Sequence, residues 1–367
     1  MRKPVAVVAA VWSLVGALMW DTAPPASAAD STLALQSKLN ALKPGDTLTL
    51  DPGATYDYSN VLSVRVSGVR INGNGATLKA NNPTLAALQI LANNVTVNNL
   101  NLTGQVGAMR QDGPNQSRLV FGGTGVVISD VNITGGASAG VYVANGSNFR
   151  LDRVTVRDTA ADGVQITAGS SNGQVNNVTV DRSGDDAIAV VSYLWGYPPA
   201  APCSDIVINS PVVSRPGQRG VVVVGAHNVS ISNPTVSSTP LSGIFIGSQG
   251  WPFFTAATSG VRVTGGKIIQ GNNGGGVPTG AVTILSQNYF ANVSDVTVSG
   301  LTITDTPKSA VANIGVAAFW AGPPTKVVLR DIAITQQPET SAVWANVARS
   351  NYTTSGFTMN GRPLTVP

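Results

Sequence analysis

Three aspartates and one arginine fall at matching places in successive segments of this chain. The run Gly184-Asp185-Asp186-Ala187-Ile188-Ala189-Val190 sets two carboxylates just before a stretch of strand-forming residues. One segment earlier, Ala160-Ala161-Asp162-Gly163-Val164-Gln165-Ile166 carries a third carboxylate. One segment later, Gln218-Arg219-Gly220-Val221-Val222 carries a guanidinium. If the segments stack as parallel strands, about 4.8 Å apart, Asp162, Asp185, Asp186 and Arg219 meet on one surface line. Crowded carboxylates do not all ionise, so one is kept as an acid while another remains a base. The expected spacing, from a few Å to about 10 Å, includes the roughly 6.5–9.5 Å between the acid and base of an inverting glycosidase. Each aspartate alone reads better as a turn residue bonded to its own backbone. Their coincidence on adjacent segments points to a carbohydrate-cleaving site.

The elements that must position these residues repeat. A small turn residue followed by alternating apolar residues occurs at Gly140-Val141-Tyr142-Val143, Gly163-Val164-Gln165-Ile166, Ala187-Ile188-Ala189-Val190, Gly220-Val221-Val222-Val223, Gly243-Ile244-Phe245-Ile246 and Gly280-Ala281-Val282-Thr283-Ile284. The intervals are 23, 24, 33, 23 and 37 residues. The short ones match one solenoid coil, and the long ones match coils with loop insertions. Further period-two segments lie between them, such as Val154-Thr155-Val156, Val178-Thr179-Val180 and Val296-Thr297-Val298, giving two or three strands per coil. Gly, Asn, Ser and Asp fill the connections, as tight turns require. Repeated asparagines, including Asn98-Asn99, Asn101 and Asn176-Asn177, suggest amide ladders. The expected fold is all-β: a right-handed parallel β-helix over residues 61–350. Residues 30–60 are expected to cap it, with a helix from Ser31 to Leu42 whose Leu33, Leu35, Leu39 and Leu42 follow the helical period. A propeller or sandwich is the alternative, but few two-residue hairpin turns flank matched strands. Residues 351–367 read as a C-terminal tail or cap.

Arg2-Lys3, the apolar run Val5–Trp20 and the small residues of Pro24–Ala29 read as a cleavable secretion signal over residues 1–29. An extracellular or cell-envelope location is the consequence. No second apolar stretch is long enough to cross a bilayer. The formal net charge of +4 and the absence of a basic cluster argue against nucleic acid as a partner. Cys203 is the only cysteine, so no internal disulfide forms. His227, the only histidine, has no partners at zinc-ligand spacing.

The Gly184-Asp185-Asp186-Ala187 run resembles the Asp-Asp motif of the polygalacturonase-type glycoside hydrolases of family 28, with Ala187 where that family usually has cysteine. Ala161-Asp162-Gly163 is similar to their Asn-Thr-Asp-Gly motif, and Gln218-Arg219-Gly220 falls where they carry Gly-His-Gly. Their Arg-x-Lys pair, which holds a substrate carboxylate, falls on Phe245 and Gly247, so both charges are missing. Leu42–Leu50 and Val69–Leu78 resemble the opening coils of pectate-lyase-like β-helix proteins. The resemblance implies a polysaccharide substrate, with Asp186 or Asp162 as acid and the other aspartates polarising water. The lost Arg-x-Lys pair makes a neutral sugar the expectation, unless Arg219 engages a charge.

The outward column Tyr142, Gln165, Ala189, Val222, Phe245 is expected to floor the binding surface, with the insertions bearing Tyr193, Trp195, Tyr197 and Trp251 as aromatic walls. The expected substrate-binding residues are Tyr142, Gln165, Tyr193, Trp195, Tyr197, Phe245 and Trp251. No cofactor is required by this reading. Two alternatives stay open. In a lyase or epimerase, Asp162, Asp185 and Asp186 would hold Ca²⁺ and Arg219 would take the proton. In a non-catalytic glycan-binding protein, the same surface would bind without turnover.

Overall fold

The computed structural model describes residues 29–194, 201–274, 280–336 and 340–366. Its 34 strands form one coiled sheet, and every strand pairing between coils is parallel. Most coils contribute three short strands, and in two of them one longer strand, Thr96–Gly104 or Val127–Thr134, serves two rows, so three rows run up the stack. One row passes through Val141–Ser147, Val164–Thr167, Ile188–Val191, Val221–Val224, Ile244–Ser248, Val282–Ser286 and Ile314–Ala318. A second includes Ser171–Asn176, Cys203–Asn209, Ala226–Ser232 and Thr258–Thr264. A third includes Thr155–Thr159, Thr179–Ser183, Val212–Ser214 and Thr235–Thr239. This is a right-handed parallel β-helix.

The core explains why the repeat folds this way. Val141, Val164, Ile188, Val221, Ile244, Val282 and Ile314 stand in register in the first row, each fully buried. β-Branched side chains suit a pleated, packed surface. Each burial contributes about 1.5–3 kcal/mol relative to exposure. Between the second and third rows the chain turns on single left-handed residues at Asp130, Arg153, Asn177, Ser210, Asn233 and Gly300, and on the pair Gly265-Gly266, with φ from 49° to 83°. Asn, Asp and Gly enter that conformation most readily, which is why they recur there. The expected amide ladders form: Asn132 Nδ2 donates to Asn101 Oδ1 at 3.0 Å, and Asn209 Nδ2 to Asn176 Oδ1 at 2.8 Å.

The ends are closed differently. The helix spans Thr32–Asn40, shorter than Ser31 to Leu42, and it buries only Leu35 and Leu39. Leu33 is 86% exposed, because it lies on the face turned from the stack. Parallel stacking already begins at Thr47–Thr49, which pairs with Arg70–Asn72. At the other end, Tyr352–Ser355 and Phe357–Met359 continue the rows, and Arg362–Leu364 folds back antiparallel on Phe357–Met359. No helix among the described residues is long and apolar enough to cross a membrane. The expected secretion signal lies outside the described residues, apart from Ala29.

Candidate active site

The aspartates sit where the third row turns into the first. Gly163 N–H donates to Asp186 O at 3.0 Å, Ala187 N–H to Arg219 O at 2.9 Å, and Gly220 N–H to Ser242 O at 3.0 Å. These bonds set Asp162, Asp186 and Arg219 at equivalent positions on three consecutive coils. Asp185 stands one residue before that column. A hydroxyl fixes each of the two aspartate-bearing turns: Thr159 Oγ1 donates to Ala161 O at 2.9 Å, and Ser183 Oγ to Asp185 O at 3.1 Å. The turns also press together. A Cβ on Gly184 would lie 2.3 Å from Ala160 O, and one on Gly217 would lie 2.1 Å from Gly184 O. Only glycine lets these backbones approach so closely.

One carboxylate oxygen from each of Asp162, Asp185 and Asp186 lies within 4.8 Å of the others. The cluster is therefore tighter than the roughly 6.5–9.5 Å of two opposed groups, and it occupies one side of the cleft. Arg219 grips Asp186 through three donors: Nε to Oδ1 at 2.9 Å, Nη2 to Oδ2 at 2.9 Å, and its backbone N–H to Oδ1 at 3.1 Å. Asp162 Oδ1 accepts the Asp186 N–H at 3.2 Å. Asp185 accepts a hydrogen bond from Arg110, whose Nε also donates to Asp112 at 2.8 Å. Each of the three carboxylates is thus held by the protein through at least one oxygen.

Burial separates the aspartates. Asp162 and Asp186 are almost inaccessible, whereas the Asp185 side chain is 24% exposed. Burial, then the charges of Asp186 and Asp185, push Asp162 well above the usual carboxylate range, against Arg110 and Arg219. Burial raises Asp186 too, but the charge and hydrogen bonds of Arg219 pull it back. Arg219 is buried as well. Desolvation works against its charge, and Asp186, Asp185 and Asp162 outweigh that effect and keep it a cation. Tyr193 is pushed up to about 12, first by burial and then by the three aspartates.

A cavity of about 390 Å³ opens over the cluster. Ala189, Val191, Val222 and Val224 floor it, Tyr193 and Phe253 wall it, and Gln165, Gln218 and Gln249 supply amides. A second cavity of about 440 Å³ adjoins it across Arg110, Gln165, Tyr193 and Phe253, and includes Tyr142. The two insertions build the far wall together. Leu194 N–H donates to Phe254 O at 2.7 Å, and Ala256 N–H to Ser192 O at 2.9 Å.

The expected column Tyr142, Gln165, Ala189, Val222, Phe245 is in register on five consecutive coils. Phe245, however, is buried and does not line the cleft, because the Arg219 guanidinium lies over its ring at 4.7 Å. Phe245 therefore supports Arg219 from behind. Trp251 also lies outside this cavity; Phe253 of the same loop turns into it instead, and Trp251 lines a separate groove. Trp195 and Tyr197 lie outside the described residues. Sequence reasoning expects the loop of Trp251 and Phe253 as a wall but picks the wrong ring, and it misses Arg110 and Gln249. Arg110 comes from the long connection between Thr96–Gly104 and Leu119–Thr124, which Gln111 anchors by donating its N–H to Ala137 O at 2.7 Å. A connection of that length just before the site-bearing coils is its only signal.

A family model described as the right handed beta helix region matches residues 49–193. Among solved structures, the chain is similar to the catalytic domain of a GH87 alpha-1,3-glucanase in complex with tetrasaccharides. The identity is 18% and the TM-score 0.62, over 90% of this chain and 68% of that one. It is also similar to the A-module of the mannuronan C-5 epimerase AlgE6 of Azotobacter vinelandii, at 17% identity and TM-score 0.64, over 92% and 96% of the two chains. A thermostable GH87 alpha-1,3-glucanase from Streptomyces thermodiastaticus gives 19% and 0.60, over 90% and 66%. No curated protein matches the sequence. At these identities the likeness establishes the β-helix fold.

Proposed function

We propose that the protein is a secreted enzyme that hydrolyses a neutral polysaccharide. Asp162 gives its proton to the glycosidic oxygen, Asp185 beside it on the same side of the cleft balances the positive charge that builds on the ring, and the water that then attacks the anomeric carbon returns a proton to Asp162. The leaving sugar departs as an alcohol and the new chain end carries the water oxygen. Asp186 and Arg219 form the fixed, buried pair that keeps the turn in place and crowds Asp162. The observation that carries this reading is a nearly inaccessible carboxyl, raised by burial and two neighbouring carboxylates, at the wall of an open cavity with aromatic sides. A perturbed acid in a cleft is the physical mark of acid–base chemistry.

The cleft chemistry favours an uncharged sugar. Both arginines that line it, Arg110 and Arg219, are already paired with aspartates. A uronate would meet Asp185 without a spare cation, whereas amides and aromatic faces suit hydroxyls and ring C–H groups. The carbohydrate-processing character of the structural neighbours agrees with a polysaccharide substrate.

The cluster does not suit a resident Ca²⁺. Two guanidinium groups already balance the carboxylates, and the arginines would have to leave their oxygens to admit a metal. Arg219 is also a poor base, since it keeps its charge and its donors are engaged on Asp186. Incubating the purified protein with neutral and uronate polysaccharides, with and without chelator, tests the reading. New reducing ends from a neutral glycan, insensitive to chelator, are expected. Calcium-dependent unsaturated product would replace hydrolysis with elimination, and no product from any glycan would leave a binding protein.

A further inference from the structure

Beyond the cleft, the same edge of the stack carries a second groove made of aromatic rings. Among the described residues, the exposed aromatic side chains are Trp251, Phe253, Tyr289, Phe290 and Trp320, and three of them, Trp251, Tyr289 and Trp320, line this groove. They follow the first-row strands Ile244–Ser248, Val282–Ser286 and Ile314–Ala318, which are consecutive in the stack. A cavity of about 430 Å³ lies among Trp251, Phe254, Gln287, Asn288, Tyr289 and Trp320. Its lining holds no carboxylate, ammonium or guanidinium group among the described residues.

Exposure of this kind marks a binding surface rather than a packing accident. Trp251 is 83% and Trp320 68% exposed. Phe254 and Trp320 are the only aromatic residues among those described with left-handed backbone, at φ 42° and 59°. Bulky residues enter that region at a conformational cost, so the fold spends stability to hold these rings in place. One loop stands between the cleft and the groove, with Phe253 on the side of the aspartates and Trp251 and Phe254 on the other.

We propose that this groove binds the polysaccharide beyond the point of cleavage, as a run of uncharged sugar units stacked on Trp251, Tyr289 and Trp320. Gln287 and Asn288 supply amides for their hydroxyls. Coils repeat about every 4.8 Å, close to the length of one pyranose unit, so successive coils offer successive stacking places. The chain then lies along the stack axis, from the cavity at Tyr142, past Asp162 and Asp185, into the aromatic groove, and cleavage is internal to the polymer. The proposal rests on the carbohydrate reading above but needs no chemistry from the aspartates.

Affinity electrophoresis separates the two. Wild-type protein, Asp162→Asn and the double variant Trp251→Ala/Trp320→Ala are run through native gels containing soluble starch, dextran, mixed-linkage β-glucan or galactomannan. At least one neutral polymer is expected to retard wild type and Asp162→Asn alike. The double variant, melting as wild type does because both rings are exposed, is expected to bind that polymer at least tenfold more weakly. Where turnover is seen, its kcat on short oligosaccharides should be unchanged and its KM on polymer raised. Retardation with no hydrolysis would sink the catalytic reading and leave the groove standing. Equal retardation of the double variant, or no retardation of any protein, would overturn the groove. So would wild type that self-associates through Trp251 and Trp320 and does not bind glycan.

Discussion

Replacing Asp162 by asparagine should cut activity by orders of magnitude and, above the ordinary carboxylate range, stabilise the protein at the same time. Asparagine keeps the shape and the Oδ1 that accepts the Asp186 N–H, so packing is unchanged and only the titrating proton is lost. In the folded state burial and two neighbouring carboxylates raise Asp162 well above the ordinary carboxylate value. The unfolded chain releases that proton once the pH passes the ordinary value, while the folded chain retains it. Unfolding therefore releases one proton in this window, and wild-type stability falls by about 1.4 kcal/mol per pH unit. The loss begins near the unfolded value and levels off above the folded one. The Asp162→Asn variant has no such slope. Below the ordinary carboxylate range the two proteins should melt together, and above it the variant should gain steadily. The shift in melting temperature per kcal/mol falls with chain length and is about 2 °C or less for a chain this long, so denaturant titrations across pH are the sharper readout. Loss of the acid should cost about 10²–10⁴ in kcat. A variant that melts below wild type at every pH, or that keeps full turnover, would refute the reasoning.

Removing the cation from the buried pair has the opposite sign: Arg219→Ala leaves Asp186 buried without its partner and should cost about 3–5 kcal/mol in denaturant titrations. Adding Asp186→Leu to that variant should recover much of the loss. Arg110 is half-exposed, so Arg110→Ala should change stability by less than about 1 kcal/mol, while hydrogen exchange quickens around residues 105–113. For Gly184→Ala, the new methyl meets Ala160 O at 2.3 Å, and a cost of about 1–3 kcal/mol is expected from overpacking. The proposed acid role needs Asp162 protonated, so kcat/KM should fall on the alkaline side at a pH above the ordinary carboxylate range, and a pH profile on a neutral oligosaccharide reads this directly.

Much of the fold was legible because a solenoid writes its geometry into the period of its sequence. The column from Tyr142 to Phe245 follows from counting residues after each turn, and so does the meeting of Asp162, Asp186 and Arg219. Contacts made by insertions carry no such period. Arg110 reaches Asp185 across 75 positions, through a connection whose path depends on how it packs over the turn at Ala137. The choice of Phe253 over Trp251 at the cleft is hidden for the same reason, since both sit on one short loop and only its fold decides which ring turns inward. Leu33 fits the helical period yet faces solvent, because a capping helix buries only the side toward the stack. Phe245 stands on the expected face, but its depth depends on the Arg219 side chain lying over it.

The proposed hydrolysis depends on one carboxyl staying protonated beside its neighbours. Carboxyl ¹³C NMR of aspartate-labelled protein, titrated from acid to neutral pH beside Asp162→Asn, measures that state directly. One resonance should remain in its protonated position well above the ordinary carboxylate range and be missing from the variant. If every aspartate in the wild type ionises within the ordinary range, Asp162 is not an acid poised for catalysis and the hydrolytic reading is wrong.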